Sequence, residues 1–219
     1  MGIVEHVDGV DALVRSTPRL DRPVVVAVDG VAGSGKTTFA AQLAARYAGR
    51  QRTAHVVHMD DFLHPRAIRY RLGRDSPEGY FRDTYDLHTF ITNVIEPLSD
   101  GGGRSIRSRA FDYRTDRPIV DNPVLVRAGD VVIVEGMFLL RDEWAHLWDV
   151  SVFLDVPFSV SVSVRRMADR DGTNPDPDDP SVRRYVEGQR IYLGRCQLAQ
   201  RAHHVVRVPG VAAHEKMSR

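Results

Sequence analysis

Apolar runs alternate along the chain with segments whose apolar residues recur at helical spacing. The first run, VVVAV at 24–28, is typical of a strand that is covered on both faces of a parallel sheet. The predicted strands are 24–28, 54–59, 131–135, 150–155 and one near 203–208. The predicted helices are 3–15, 37–48, 83–98, 139–147, about 158–170 and 181–201. This alternation predicts an α/β fold of three layers with a mainly parallel sheet.

Two interruptions of this pattern predict smaller features. Gly101–Gly103 precede an alternating stretch at 105–113, which predicts a small β-hairpin insertion over about 103–122. The polar segment 171–180 carries three prolines and lies between two predicted helices. We expect a mobile lid there, over about 165–184.

Length and composition narrow the class of protein. The 219 residues suit one main domain at 23–219, preceded by an N-terminal helical extension at 1–22. The 30 basic and 29 acidic side chains leave no basic surplus, so no nucleic-acid partner is predicted. The single cysteine, Cys196, excludes an internal disulfide. No signal peptide and no apolar run of about 20 residues is present, which predicts a cytoplasmic protein without a membrane partner.

A phosphate-binding loop is the clearest chemical signal. Residues 30–37, GVAGSGKT, match the pattern G-x-x-x-x-G-K-[ST] at every fixed position, between a predicted buried strand and a predicted helix. Backbone N–H groups of such a loop turn inward around phosphate oxygens, and the helix adds its positive N-terminal end. The predicted nucleotide-binding residues are Gly30, Ala32, Gly33, Ser34, Gly35, Lys36, Thr37 and Thr38.

Three side chains of the loop have separate predicted tasks. Lys36 is expected to reach the β- and γ-phosphates, Thr37 to bind Mg²⁺ through its hydroxyl, and Thr38 to contact the α-phosphate. Lys36 also stands out because the chain has one other lysine, Lys216, among its 30 basic residues. A compact ammonium fits between phosphates where a planar guanidinium does not.

Acidic residues that follow two of the predicted strands are candidates for catalysis. The chain is not predicted to be a switch GTPase, because such a protein would need an N-K-x-D motif and neither lysine follows an asparagine. Glu135 ends the strand 131–135 and is predicted to hold Mg²⁺ through water or to orient the acceptor; a buried structural glutamate is the alternative. Asp60 and Asp61 close the second strand at the same edge of the sheet. Asp60 is predicted to accept the proton of the attacking hydroxyl or to help hold Mg²⁺, with a helix N-cap as the alternative. For Asp61 the structural role is favoured.

An ordered set of segments carries a family resemblance. The segments GVAGSGKTT, MDDFLHP, YDLH, FDYRTDRP, VVIVEGMFLL and RRMADRDG resemble the uridine kinase, phosphoribulokinase and pantothenate kinase group of P-loop kinases. The resemblance covers about residues 22–208. It implies the P-loop NTPase fold, ATP and Mg²⁺ as cofactors, and Asp60 as the catalytic base. By position, Asp86 resembles the acid with which uridine kinases grip ribose hydroxyls.

The acceptor-side segments resemble two different kinases. Residues 62–65 and 85–88 look more like a pantothenate kinase. Residues 111–117 resemble the nucleoside-recognition stretch of uridine kinases, which makes Phe111 and Tyr113 candidate substrate contacts. That family has a histidine near the place of Asp116, and aromatic residues on a hairpin are also ordinary cross-strand packing.

Arginines near the predicted lid complete the predicted site. Kinases of this shape use lid arginines to neutralise charge on the transferring phosphoryl group. Arg166 and Arg170 are the predicted catalytic pair, although the sequence does not separate them from Arg165. Arg183 and Arg184 are further candidates.

Together these features predict an ATP- and Mg²⁺-dependent kinase that phosphorylates a hydroxyl of a nucleoside such as uridine or cytidine. One alternative is a kinase for another small metabolite, such as pantothenate or a sugar. The other is a nucleotide-binding ATPase without a small-molecule acceptor. The predicted partner is a small-molecule substrate, and a homo-oligomer is open because dimers and tetramers occur in the resembling families.

Overall fold

The computed structural model describes residues 3–18, 21–50, 52–99, 104–156 and 180–207. The strands are β1 (Val24–Gly30), β2 (Ala54–His58), β3 (Arg104–Ile106), β4 (Phe111–Asp112), β5 (Arg117–Pro118), β6 (Val124–Val126), β7 (Val131–Gly136), β8 (Val150–Asp155) and β9 (His204–Arg207). The α-helices are α1 (Ile3–Ser16), α2 (Lys36–Ala45), α3 (Arg66–Arg69), α4 (Pro77–Asp83), α5 (Leu87–Phe90), α6 (Glu96–Ser99), α7 (Pro180–Cys196) and α8 (Leu198–Arg201).

A five-stranded sheet in the order β2-β7-β1-β8-β9 forms the centre of the fold, and every neighbouring pair in it is parallel. Every residue of β1 and β7 is buried, as expected for β-branched runs covered on both faces. The predicted three-layer α/β fold with a mainly parallel sheet is therefore confirmed.

Alternate residues of the central strands belong to two separate hydrophobic clusters. Val24, Val26 and Val28 of β1 pack with residues of α1 and α2, among them Val10 and Phe39. The other face, which includes Val25 and Ala27, packs with residues from α4, α5 and α7. The two faces of the sheet thus bury different layers of helices.

The carboxyl ends of β1, β2 and β7 meet at one edge of the sheet, because Val28 pairs with Glu135 and Glu135 with His58. A 3₁₀ turn, Met59–Phe62, follows β2 directly. It carries the acidic pair predicted at the end of the second strand. This edge is where open α/β proteins bind ligands.

Three predicted helices are wrong in detail. The helix predicted at 83–98 is divided, because α4 ends at Asp83 and α5 begins at Leu87. A π-helical turn, Ile91–Ile95, follows α5. Of the helix predicted at 139–147, a 3₁₀ turn at Ala145–Leu147 is present. The helix predicted at 181–201 is interrupted at Gln197, whose backbone is left-handed with φ 40°.

The predicted hairpin is also more complex than one pair of strands. β3 pairs with β6, and β4 pairs with β5 inside that pair, so 105–113 spans parts of two small antiparallel sheets. The predicted lid at about 165–184 lies largely outside the described residues. The division into an extension at 1–22 and a main domain stays a prediction. In the described part of the chain, no helix is both long enough and apolar enough to cross a membrane.

Candidate active site

The phosphate-binding loop occupies the turn between β1 and α2. Gly35 precedes α2 with φ 90°, a left-handed conformation that favours glycine. Gly30 lies so close to its neighbours that a Cβ there would be 2.6 Å from Ser34 Oγ and 3.0 Å from the backbone oxygen of Leu154. Thr37 and Thr38, the second and third residues of α2, are exposed at the mouth of the loop. The loop therefore has the shape that its glycines allow and larger residues would disturb.

Lys36 lies inside this loop. Its side chain is buried, and Nζ donates a hydrogen bond to the backbone oxygen of Val31 over 2.8 Å. Burial lowers the pKa of Lys36, while the negative charges of Asp29, Glu135 and Asp60 oppose this effect. Lys36 thus places a cation within the loop, and an ammonium group there suits the binding of polyphosphate oxygens.

Thr37, Glu135 and His58 form a connected polar group. The Thr37 hydroxyl donates to Glu135 Oε1 over 3.1 Å, and His58 Nδ1 lies 2.7 Å from the same oxygen. Burial acts to raise the pKa of Glu135, but the hydrogen bond from His58 and the charge of Lys36 hold it below its usual value. The hydrogen bond to Glu135 raises the pKa of His58.

The two predicted Mg²⁺ residues, Thr37 and Glu135, thus lie together. A hydroxyl and one carboxylate are the oxygen donors that Mg²⁺ takes from proteins when substrate phosphates and water supply the remaining ligands. Among the described residues, no cluster of three or more His, Cys, Asp or Glu side chains could hold a metal ion by itself. The donor set fits a metal that enters with a nucleotide.

Asp60, the predicted base, is exposed in the turn after β2. The Tyr85 hydroxyl donates to Asp60 Oδ1 over 3.1 Å. Burial is the main cause that raises the pKa of Tyr85 well above its usual value, so this hydroxyl keeps its proton. A permanent donor fixes one carboxylate oxygen of Asp60.

Asp86, the predicted substrate-gripping acid, lies beside Asp60's turn because its backbone N–H donates to the Phe62 backbone oxygen over 2.8 Å. Its carboxylate caps α5, accepting from the backbone N–H of Thr89 over 3.0 Å and from the Thr89 hydroxyl over 2.8 Å. His64 Nδ1 is 3.7 Å from Oδ2, the same oxygen that accepts from the Thr89 hydroxyl. The side chain of Asp86 therefore already has a structural task.

The aromatic candidates lie on and after β4. Phe111 is buried and Tyr113 is half-buried. The backbone N–H of Ala110 donates to the backbone oxygen of Asp61 over 3.0 Å, which joins this strand to the turn that carries Asp60. The Arg109 guanidinium also contacts the Asp61 carboxylate, at 3.3 Å.

Asp116, which stands near the place of a family histidine, binds the neighbouring helix. Its backbone is left-handed with φ 57°. Its Oδ1 accepts from the backbone N–H of Arg66 over 3.0 Å and lies 3.4 Å from Nη2 of Arg69. Asp116 thereby connects the small insertion to α3.

The predicted lid arginines receive different outcomes. Arg166 and Arg170, together with Arg165, lie outside the described residues. Arg183 is exposed. Arg184 is buried, and its guanidinium donates to the backbone oxygens of Arg74 over 2.5 Å and Arg69 over 3.3 Å. These contacts direct Arg184 into the protein.

Asp29 was not among the predicted site residues. It is fully buried and accepts hydrogen bonds from the backbone N–H groups of Gly30 (2.6 Å) and Leu140 (3.0 Å) and from the Tyr192 hydroxyl. Burial raises the pKa of Asp29 to about 6, against the hydrogen bonds from Tyr192 and Leu140 and the charge of Lys36. An aspartate at the end of an otherwise apolar strand is the signal that could have identified it.

Gln189 was also missed. It is buried in α7, and its Oε1 accepts a hydrogen bond from the backbone N–H of Ala32 in the phosphate-binding loop over 2.7 Å. No local sequence pattern predicts this contact, because Gln189 and Ala32 lie far apart in the chain. The site thus includes a side chain from the helix after the predicted lid.

Comparisons with known proteins agree on the type of chain. The sequence profile of the Phosphoribulokinase / Uridine kinase family matches residues 25–174. A uridine kinase of Halalkalibacterium halodurans is 29% identical over 150 residues, which are 67% of this chain and 66% of that protein. A pantothenate kinase of Rhodopseudomonas palustris is 31% identical over 172 residues, 71% of this chain and 53% of that protein. The match thus spans between half and two thirds of these relatives.

A solved structure supports the fold. It is described as a possible uridine kinase from Bacillus stearothermophilus, with a TM-score of 0.70 and 24% sequence identity. The similarity covers 94% of this chain and 99% of that chain. The strands and helices described above therefore follow an arrangement already seen in a solved structure.

Proposed function

The chain belongs to the phosphoribulokinase and uridine kinase family, and we propose that it transfers the γ-phosphoryl group of ATP to a hydroxyl of a small molecule. One observation carries the proposal. The negative charges of Glu135 and Asp60 act on Lys36, and Glu135 accepts a hydrogen bond from Thr37, so these residues lie together at the carboxyl edge of the sheet. Donor-side charge and an acceptor-side base are what phosphoryl transfer to an alcohol requires.

The residues divide the work of this reaction. The loop amides and Lys36 hold the β- and γ-phosphates, and Thr37 and Glu135 are the residues that would hold Mg²⁺. When bound, Mg²⁺ supplies positive charge beside the transferring phosphoryl group. Asp60 takes the proton of the acceptor hydroxyl while the acceptor oxygen bonds to the γ-phosphorus and ADP leaves. The donated hydrogen bond from Tyr85 orients the carboxylate of Asp60.

A nucleoside of the uridine or cytidine type is our first candidate for the acceptor. The hydrogen bond from Ala110 to the Asp61 backbone supports it, because this bond holds the strand of Phe111 beside the turn of Asp60. An aromatic side chain close to Asp60 is suited to stacking on the pyrimidine ring of the acceptor. Asp86, joined to the same turn through the Phe62 backbone, is the candidate for gripping the ribose hydroxyls.

A different small metabolite is our second candidate. Asp116 supports it, because an aspartate held by Arg69 and by the backbone of Arg66 offers a pyrimidine no counterpart of the histidine of uridine kinases. Pantothenate and sugars are the first acceptors of this class to test.

A screen with mass-spectrometric detection distinguishes these acceptors. The protein is incubated with ATP, Mg²⁺ and one candidate at a time, from nucleosides, pantothenate and sugars, with Lys36→Met as the matched inactive control. We expect one acceptor to gain a single phosphoryl group. Release of inorganic phosphate at a rate that no acceptor changes would contradict the kinase proposal and favour an ATPase.

A further inference from the structure

The helix α7 reaches the phosphate-binding loop through one buried side chain, that of Gln189. Its Oε1 accepts from the backbone N–H of Ala32 over 2.7 Å, and its Nε2 donates to the backbone oxygen of Tyr185 over 2.9 Å. The residue is 2% exposed. Both ends of the amide are therefore satisfied by protein, which fixes its orientation.

The loop is held from two sides at this point. Lys36 Nζ binds the backbone oxygen of Val31 over 2.8 Å, and the backbone N–H of Ser34 donates to the same oxygen over 3.1 Å. These bonds act from within the loop, whereas Gln189 holds the next residue, Ala32, from outside. Donors bind phosphate charge most strongly when they are already in place before the ligand arrives.

The helix itself is firmly attached on both sides of Gln189. Toward its N-terminus, Arg184 binds the backbone oxygens of Arg69 and Arg74, and toward its C-terminus the Tyr192 hydroxyl binds Asp29. Between them, Gly188 packs against α4 so closely that a Cβ would lie 2.7 Å from a ring carbon of Tyr80. Such an anchored helix gives Gln189 a fixed position from which to hold the loop.

We infer that Gln189 is a positioning residue for the nucleotide, which fixes the Ala32 amide so that the following loop amides keep the arrangement that binds phosphate. The inference rests on the proposed function, because it takes ATP as the ligand of this loop. Loss of the contact leaves a buried backbone N–H without its acceptor and loosens the loop. A change at Gln189 is expected to weaken the binding of ATP and to leave the KM of the acceptor unchanged.

Nucleotide titration is the first test. Gln189→Met preserves the length of the side chain and removes its polar atoms, and the matched control is Gln200→Met at an exposed position of α8. By calorimetry with ATP and Mg²⁺, we expect Kd to rise roughly tenfold in Gln189→Met and to stay unchanged in the control. The KM of the acceptor is expected to stay at its wild-type value. A Kd within twofold of wild type in a folded Gln189→Met protein would overturn the inference.

Hydrogen exchange gives a second readout, which needs neither turnover nor an acceptor. In the ligand-free protein, peptides covering 30–37 are expected to exchange faster in Gln189→Met, while peptides from β7 keep wild-type exchange. Gln200→Met is the control here too and is expected to keep wild-type exchange over 30–37. Equal exchange in wild type and Gln189→Met, or exchange in Gln200→Met as fast as in Gln189→Met, would contradict the assignment.

The variants also separate this inference from the proposed function. If Gln189→Met does not fold, Gln189→Asn carries the same expectations, because its shorter polar side chain does not span the distance to Ala32. If the screen finds no acceptor, the exchange result still decides whether Gln189 holds the loop. If exchange depends on Gln189 but wild-type protein does not bind ATP, the positioning of a nucleotide is wrong.

Discussion

The donor and acceptor sides of the candidate site are built in different ways. On the donor side, the phosphate-binding loop lies between a strand and a helix, and its partners Asp29, Lys36 and Gln189 are buried. On the acceptor side, short segments are joined by ion pairs such as Arg109–Asp61, in which the arginine side chain is 53% exposed. Buried, fully bonded groups resist change, whereas exposed ion pairs contribute up to about 1 kcal/mol each.

This difference explains how one scaffold can serve several acceptors. The donor side is fixed by the pairing of central strands, so a change there disturbs the sheet as well as the site. The acceptor side depends on individual side-chain contacts outside the sheet, such as the half-buried pair of Asp116 and Arg69, which can be exchanged without disturbing the strands. We therefore expect substitutions on the donor side to have large effects and those on the acceptor side to have small, selective ones.

The largest effect is expected for Lys36→Met. It removes the buried cation beneath the loop and leaves Asp29, Glu135 and Asp60 without their shared positive charge. We expect kcat to fall by about a thousandfold with the acceptor found in the screen. Lys216→Met, at the only other lysine of the chain, is the control and should keep wild-type turnover. A fall in kcat of less than tenfold would contradict the expectation that substitutions on the donor side have the largest effects.

Asp60→Asn tests the boundary between the two sides. It keeps the shape of the side chain but cannot take the acceptor's proton, so kcat is expected to fall by about a hundredfold or more. The Kd of ATP should stay near its wild-type value, as measured by calorimetry. Asp61→Asn, whose carboxylate contacts Arg109, is the neighbouring control and should lose much less activity. Wild-type turnover in Asp60→Asn would show that the base lies elsewhere.

Asp29→Asn tests the burial of the donor side through its pH dependence. Burial, opposed by the hydrogen bonds to Asp29, raises its pKa from 3.8 to about 6 in the folded protein. Between these pH values the folded state binds more protons than the unfolded state, so the contribution of Asp29 to the free energy of unfolding falls as pH rises. The variant lacks this loss. Its free energy of unfolding relative to wild type should rise by about 2–3 kcal/mol from about pH 4 to about pH 7.

Urea unfolding of both proteins across this pH range measures the difference. Asp75→Asn, at an exposed aspartate, is unfolded under the same conditions as the control for the substitution itself. A pH-independent difference for Asp29→Asn would mean that this carboxyl titrates normally in the folded protein.

The smallest effect is expected for Asp116→Asn on the acceptor side. Asparagine tolerates the left-handed backbone at this position, so the change mainly weakens the contacts to Arg66 and Arg69. We expect the KM of the acceptor to rise by about three- to fivefold and the KM of ATP to stay the same. Equal changes in both KM values would show that the two sides are not independent.

The sequence predicted the strand and the helix on either side of the phosphate-binding loop well, because this information is local. A strand, a glycine-rich turn and a helix start follow one another within 24–38, and the structure has them as β1, the loop and α2. The strands of the sheet could be predicted from apolar runs, which can be identified without knowing which strands pair with each other. Asp29 and Gln189 were missed because their contacts join segments far apart in the chain.

Helix boundaries failed where side chains compete with helix formation. At 83–98 the carboxylate of Asp86 caps a new helix, which divides the predicted one. At 139–147 the backbone N–H of Leu140 is bound to Asp29 and Tyr192, and Phe138 has a left-handed backbone with φ 65°. Both breaks lie next to the site, and neither is visible in helical periodicity alone.

The strand order of the sheet has a consequence for how the chain folds. The central pair β1 and β7 joins residues more than a hundred positions apart, Val24 with Val131 at its start. Such pairings form slowly, because bringing distant segments together costs chain entropy before their contacts stabilise the fold. The phosphate-binding loop and Glu135 come together when that pairing is complete. A nucleotide that binds there binds only the folded protein, and by mass action it raises the free energy of unfolding.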